Sequence, residues 1–101
     1  MAKKSVDLII SGVGGQGVVL ASTMIGRVAV DEGLDVKIAE THGLAQRGGS
    51  VVSHVRIGRN LFSPLIPSGQ ADAIVSFEPL EAARYVSFIQ PSSGIIIFNT
   101  K

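Results

Sequence analysis

The stretch from Val6 to Gly17, VDLIISGVGGQG, constrains this chain more than any other. Leu8, Ile9 and Ile10 form a short apolar run. Gly12, Gly14, Gly15 and Gly17 follow, and an amphipathic pattern begins at once. A short apolar run, cut by glycine and feeding a 3.6-residue period, reads as strand, tight turn, helix. Glycine permits positive φ and lets the backbone come close to a ligand. The next helix would aim its free amides and positive dipole end over the turn, where an anion is favoured. The same glycines also serve tight turns and close helix–strand packing. Ligand binding and a purely structural role therefore both stand on this motif.

Val18, Ala21, Ile25, Val28 and Ala29 recur at spacings of three and four, which predicts a helix from Gln16 to Asp31. Gly33 is its expected stop. Val36 to Ala39 reads as the second strand of a βαβ unit with a right-handed crossover. Glu40 closes that strand 23 residues beyond Gly17. A dinucleotide-binding unit carries an acid about 20 residues on, to accept hydrogen bonds from the ribose. The candidate cofactor-binding residues are thus Gly12, Gly14, Gly15, Gln16, Gly17 and Glu40; the plainer reading of Glu40 is an exposed acid at a strand end.

Thr41 to Ser50, THGLAQRGGS, is long and polar for a strand connection, and such loops are usually functional. Val51 to Ile57 alternates as a third strand, with Val52, His54 and Arg56 on one face, read as a wet face. No helix separates strands two and three, so the third is expected to run antiparallel. Gly58 to Gln70 is an irregular, apolar loop, read as packing on a partner, covering a site or folding back on its own core. Asp72 to Phe77 is a fourth strand, a helix from Pro79 to about Phe88 follows, and Gly94 to Phe98 is a fifth, fully buried strand. In a mainly parallel sheet, ligands bind at the carboxyl ends of the strands. That edge should gather the glycine loop, Glu40 to His42, Glu78 and Asn99.

With 101 residues the chain makes one domain. Its apolar content, 46%, supports a packed α/β core and leaves apolar surface over for a partner. A net charge of +1 without a basic cluster gives nucleic acid no support. The chain has no cysteine, which excludes disulfides, thiolate zinc sites and cysteine-ligated iron–sulfur clusters within it. Neither a signal peptide nor a membrane-length apolar run is read, so the expected setting is cytoplasmic. His42 and His54 lack a third ligand for a metal, and no serine sits in a nucleophile elbow. No catalytic residue is expected on this chain.

Three segments together carry a family resemblance: GVGGQGVVLAS, ETHGLAQRGGSVVSHVRIG and ADAIVSFEPLEAARY. They resemble the gamma-type subunit or domain of 2-oxoacid:ferredoxin oxidoreductases, in particular the beta subunit of indolepyruvate ferredoxin oxidoreductase. The resemblance runs from about Val6 to Thr100, and family members are close to twice as long. Residues 1–101 are therefore expected to be the N-terminal part of such a domain, a three-layer α/β/α, Rossmann-like unit with a mostly parallel, truncated sheet. The resemblance implies oxidative decarboxylation of a 2-oxoacid, an aryl pyruvate in the indolepyruvate enzyme, with coenzyme A as substrate and electrons passed to ferredoxin. Thiamine diphosphate, Mg and the iron–sulfur clusters are expected on a catalytic partner subunit. Gly12, Gly14, Gly15 and Gly17 match the family's glycine loop. His42, Gln46, Arg47, Gly48, Gly49, Ser50 and His54 match its second motif, expected at the partner contact or active-site mouth. A short sheet with bare apolar surface also suggests a homo-oligomer.

Two further readings stay open: a free-standing NAD-binding module, with Glu40 turning away a 2′-phosphate, and an interaction scaffold whose glycines bind nothing.

Overall fold

Strand β1 (Ser5–Val13) is the axis of a five-stranded sheet with the order β2-β3-β1-β4-β5. The computed structural model describes residues 5–13, 16–42, 50–59, 61, 63–77, 82–83 and 85–98. β1 leads into α1 (Gln16–Asp31), then β2 (Asp35–His42), β3 (Ser50–Gly58), β4 (Ala73–Ser76) and β5 (Ile95–Phe98). β3 runs antiparallel to both of its neighbours, while β1–β4 and β4–β5 are parallel. Four strands thus end at one edge, and the expected antiparallel third strand sits between the other two.

Alternation along β1 gives each face its own core. On the α1 side Ile10 packs with Val18, Val51 and Val55, backed by Leu8, Ile25 and Val36. On the far side Ile9 packs with Val52, Ile66, Ala71 and Ile74, backed by Tyr85, Phe88 and Ile89. Each fully buried isoleucine or valine contributes about 1.5–3 kcal/mol of transfer free energy. Among the described residues, α1 forms one outer layer and the segments 63–72 and 85–90 form the other.

α1 stops where glycine was expected to stop it. Gly33 has φ +83°, its N–H donates to the Val30 carbonyl, and the Leu34 N–H donates to that of Ala29. This pair of bonds closes the last turn as a Schellman cap.

The structure corrects four expectations. The wet face of β3 is dry: Val52 and His54 are buried, because the 63–72 segment folds back and seats Ile66 over them. The helix expected to reach Phe88 has ended before Tyr85, and Val86–Phe88 is a 3-10 turn. Hydrogen bonds from the Ala71 N–H to the Phe88 carbonyl and from the Gln90 N–H to the Ala71 carbonyl then hold Ile89 in an extended bridge beside Ala71. β5 is an edge strand with Ile95 and Ile97 more than half exposed, since α1 packs on β1, β2 and β3. Val28, placed on the buried stripe by spacing, is 64% exposed on the helix flank.

Candidate functional site at the carboxyl edge of the sheet

The strand register brings the two motifs to one edge. Val51 of β3 pairs with Gly12 on one side and with His42 on the other. Ser50 pairs with Val13. The end of β1, the end of β2 and the start of β3 therefore lie side by side, and the turn into α1 leaves from the same place. Residues 14–15 and 43–49 lie outside the described residues, and with them Gly14, Gly15, Gln46, Arg47, Gly48 and Gly49. Glu78 and Asn99, expected at this edge, also lie outside. Gln16 is the first residue of α1, His42 ends β2 and Ser50 begins β3 at this edge.

The glycines here have a tenant within the chain. A Cβ added at Gly12 would lie 3.0 Å from Phe77 Cδ2 and 3.1 Å from Val18 Cγ2. A Cβ at Gly17 would lie 3.5 Å from Phe77 Cε2. Phe77 is fixed where β4 ends: its N–H donates to the Ser11 carbonyl at 2.9 Å, and the buried Ser11 and Ser76 hydroxyls meet at 3.1 Å. The ring thus rests in the hollow the two glycines leave, and it remains 40% exposed. Sequence reasoning missed Phe77, since nothing in a strand-end phenylalanine marks it as the partner of glycines 60 residues away. Gly12→Val should cost about 1–3 kcal/mol through overpacking, read as a fall in the urea midpoint. Phe77→Ala in the same chain should recover part of that loss; a double variant as unstable as the sum of the two singles would contradict the packing role.

Glu40 stands apart from the glycine turn. It pairs with Ser53, which pairs on its other side with Ile10, so β3 separates it from β1. At a strand spacing of about 4.8 Å, the backbones of β1 and β2 are roughly 10 Å apart. A dinucleotide unit has these strands adjacent. The 23-residue spacing resembled such a unit, but the inserted strand changes what the spacing means.

His54 belongs to the interior. It pairs with Ile9 mid-strand, only 6% exposed, and the Ile66 N–H donates to its Nδ1 at 3.1 Å. Nδ1 therefore carries no proton, and the ring is the neutral Nε2–H form. Phe88 meets it edge-on, with ring centroids 5.7 Å apart at 84°. His54 latches the 63–72 segment and lies away from the edge where its motif was expected to act. Burial holds its pKa below the ordinary 6.5 by disfavouring the imidazolium. Above that value both folded and unfolded chains are neutral at this residue. Below it the unfolded chain takes up a proton first, so stability falls as the pH drops, by at most about 1.4 kcal/mol per unit. Urea unfolding at pH 7.5 and 5.5 should show a smaller loss for His54→Gln than for the wild type; equal losses would contradict the latch.

Among the described residues no group of three His, Cys, Asp or Glu side chains is placed to hold a metal. No helix among them is long and apolar enough to cross a membrane.

Comparison with known proteins agrees with this architecture. The sequence matches the family described as pyruvate ferredoxin/flavodoxin oxidoreductase over residues 7–101. It is 50% identical over 95 residues to the indolepyruvate oxidoreductase subunit IorB of Archaeoglobus fulgidus, covering 94% of this chain and 46% of that one. It is 40% identical over 98 residues to the Thermococcus kodakarensis subunit of the same name, covering 97% and 48%. The chain thus spans about half the length of these relatives. The fold matches a pyruvate oxidoreductase subunit of Thermotoga maritima, with TM-score 0.75, 26% identity, and coverage of 97% of this chain and 51% of that one. It also matches a Magnetococcus marinus 2-oxoglutarate:ferredoxin oxidoreductase with 2-oxoglutarate, coenzyme A and succinyl-CoA bound, with TM-score 0.75, 20% identity, and coverage of 99% and 17%; this second likeness concerns the fold alone. The chain belongs to the pyruvate ferredoxin/flavodoxin oxidoreductase family.

Proposed function

We propose that this chain acts as a subunit of a 2-oxoacid:ferredoxin oxidoreductase of the indolepyruvate type, inactive without its catalytic partner. The observation that carries the reading is the agreement of sequence and register. Identity to the indolepyruvate subunits reaches 50%, and strand pairing sets Gly12, His42 and Val51, which flank the two motifs, side by side. The partner would hold thiamine diphosphate and Mg, which supply the decarboxylation of an aryl pyruvate, and iron–sulfur clusters that pass electrons to ferredoxin. The chain has no thiolate to ligate such clusters. Its own share is a surface. Gly12 near the end of β1 and Gln16 and Gly17 at the start of α1 set this edge, and Gly14 and Gly15 belong to the same motif. His42, Gln46, Arg47, Gly48, Gly49 and Ser50 line the contact with the partner or the mouth of its active site, where coenzyme A enters. A dinucleotide site finds less support, because Glu40 lies two strands from β1 and Phe77 fills the hollow between Gly12 and Gly17.

A tagged form of this chain, co-expressed with a thiamine-binding catalytic subunit of the family, should bring that subunit down in fixed ratio. Arg47→Glu should weaken the capture at least tenfold. Capture that ignores Arg47→Glu would move the contact elsewhere, and no capture at all would remove the subunit reading.

A further inference from the structure

Residues 66–70 form a short flap on the far side of the sheet, pinned at both ends. Ahead of it, Arg56 Nη1 donates to the Ser63 and Leu65 carbonyls at 3.1 and 3.4 Å. Behind it, the Ala71 N–H donates to the Phe88 carbonyl, the Gln90 N–H to the Ala71 carbonyl and the Asp72 N–H to the Asp7 carbonyl, at 2.7–2.8 Å. Between these pins the chain turns over residues 67–70. The Gln70 N–H donates to the Pro67 carbonyl, and Gly69 takes φ +77°, as the third residue of a type II turn requires. Three contacts hold the flap to the sheet. The Ile66 side chain enters the core of Ile9, Val52 and Ile74. The Ile66 N–H donates to His54 Nδ1 at 3.1 Å, and the Gly69 N–H donates to the Ser87 carbonyl at 3.1 Å.

A proton can switch one of these contacts. Nδ1 accepts only while it is unprotonated, and an imidazolium has a donor at both nitrogens. The charged ring would then face the Ile66 N–H donor to donor. A buried amide without an acceptor is costly, and lifting into water relieves that cost. The other holds and both pins use carbonyls, amides and a guanidinium that stays charged, so acid leaves them as they are.

The groups around His54 disfavour an added charge while the flap is closed. On β3, Arg56 lies two residues on along the same face. On β2, Ala39 stands opposite His54, and Lys37 pairs with Arg56. On β1, Ile9 stands opposite, and Asp7 pairs with Arg56 Nε at 2.9 Å. Segments 63–72 and 85–90 bring Ile66, Asp72, Tyr85 and Phe88, and the Asp72 carboxylate accepts the Asp7 N–H. Burial weighs on the same side, since the imidazole is held in its neutral form.

We propose that residues 66–70 are a proton-released flap: a proton taken up at His54 Nδ1 removes the acceptor of the Ile66 N–H, and the flap lifts while the sheet and both pins stay closed. Lifting uncovers the apolar patch of Ile9, Val52 and Ile74. Local opening of this kind is a sub-global event, below the free energy of unfolding the strands. The inference rests on the fold and not on the proposed function.

Amide hydrogen exchange of the whole chain tests this, read residue by residue by NMR at pH 7.5 and 5.5 and corrected for the intrinsic exchange rate. Protection of the Ile66 amide should fall about five- to tenfold at the lower pH, the size of one proton linked over about one pH unit. The Ala71 and Asp72 amides and those of the β1–β3 ladder should change by less than about twofold. His54→Gln supplies an acceptor that does not titrate, so its Ile66 protection should be the same at both pH values. Nitrogen spectra of the wild type at pH 7.5 should show His54 Nδ1 without a proton. Unchanged Ile66 protection would overturn the proposal, as would a proton on Nδ1 at pH 7.5. An equal fall across the ladder would also overturn it, because acid would then act on the whole fold. A His54→Gln chain that keeps the fall would assign it to another group and reject the flap. If that variant does not fold, the contrast between Ile66 and the ladder in the wild type decides alone.

Discussion

Arg56→Ala should lower the unfolding free energy by about 3 kcal/mol or more, the loss expected when one partner of a buried ion pair is removed. Arg56 Nε donates to Asp7 Oδ1 at 2.9 Å, and Asp7 is 1% exposed. The same guanidinium donates to the Ser63 carbonyl at 3.1 Å, the Leu65 carbonyl at 3.4 Å and the Ser5 hydroxyl at 3.3 Å. Alanine therefore takes this guanidinium away from a carboxylate in the sheet interior and removes two hydrogen bonds that tie the returning loop to β3. The Asp7 N–H donates to the Asp72 carboxylate at 2.8 Å, so the strand backbone around Asp7 stays fixed in the variant. Asp7→Asn in the Arg56→Ala background should recover part of the loss, since it removes the buried charge that the guanidinium neutralised. Arg56→Lys should recover less than the native pairing, because one ammonium cannot span four acceptors as a planar fork does. Urea unfolding of the four chains measures this. A change within 0.5 kcal/mol for Arg56→Ala, the usual size for a surface substitution, would mean that the pair contributes nothing to stability.

Ile66→Ala should cost about 2–5 kcal/mol, the range for truncating a buried aliphatic side chain. Ile66 enters the far-side core from its loop, joining Ala71 in the cluster of Ile9, Val52 and Ile74. Its backbone amide also holds His54. The truncation thus opens a cavity next to a buried imidazole that accepts a hydrogen bond from the loop. Native-state hydrogen exchange should show segment 63–72 opening at lower free energy than the β1–β3 ladder. Uniform loss of protection across the sheet would contradict the view that Ile66 acts as the loop's anchor.

The parts of this fold legible in the sequence are those fixed by local pattern. Helix α1 runs over the predicted residues because its start follows glycine and its end needs a positive φ at Gly33. The antiparallel β3 followed from the missing crossover helix. The parts that were not legible depend on contacts distant in sequence. His54 and Arg56 on an alternating strand read as a solvent face, and only the return of residues 63–72 buries them. The apolar run of β5 reads as fully buried, yet its place at the sheet edge leaves Ile95 and Ile97 more than half exposed. At the candidate site the two motifs could be found by composition, but their meeting at Gly12, Val51 and His42 depends on register. Phe77 reaches the glycines only because β4 lies beside β1.

Ferredoxin or viologen reduction by the thiamine-binding catalytic subunit, supplied with aryl pyruvate and coenzyme A, tests the central claim most directly when measured with and without this chain. The account predicts that reduction requires the chain and rises in proportion to it up to a fixed ratio. Unchanged reduction when the chain is omitted would contradict it.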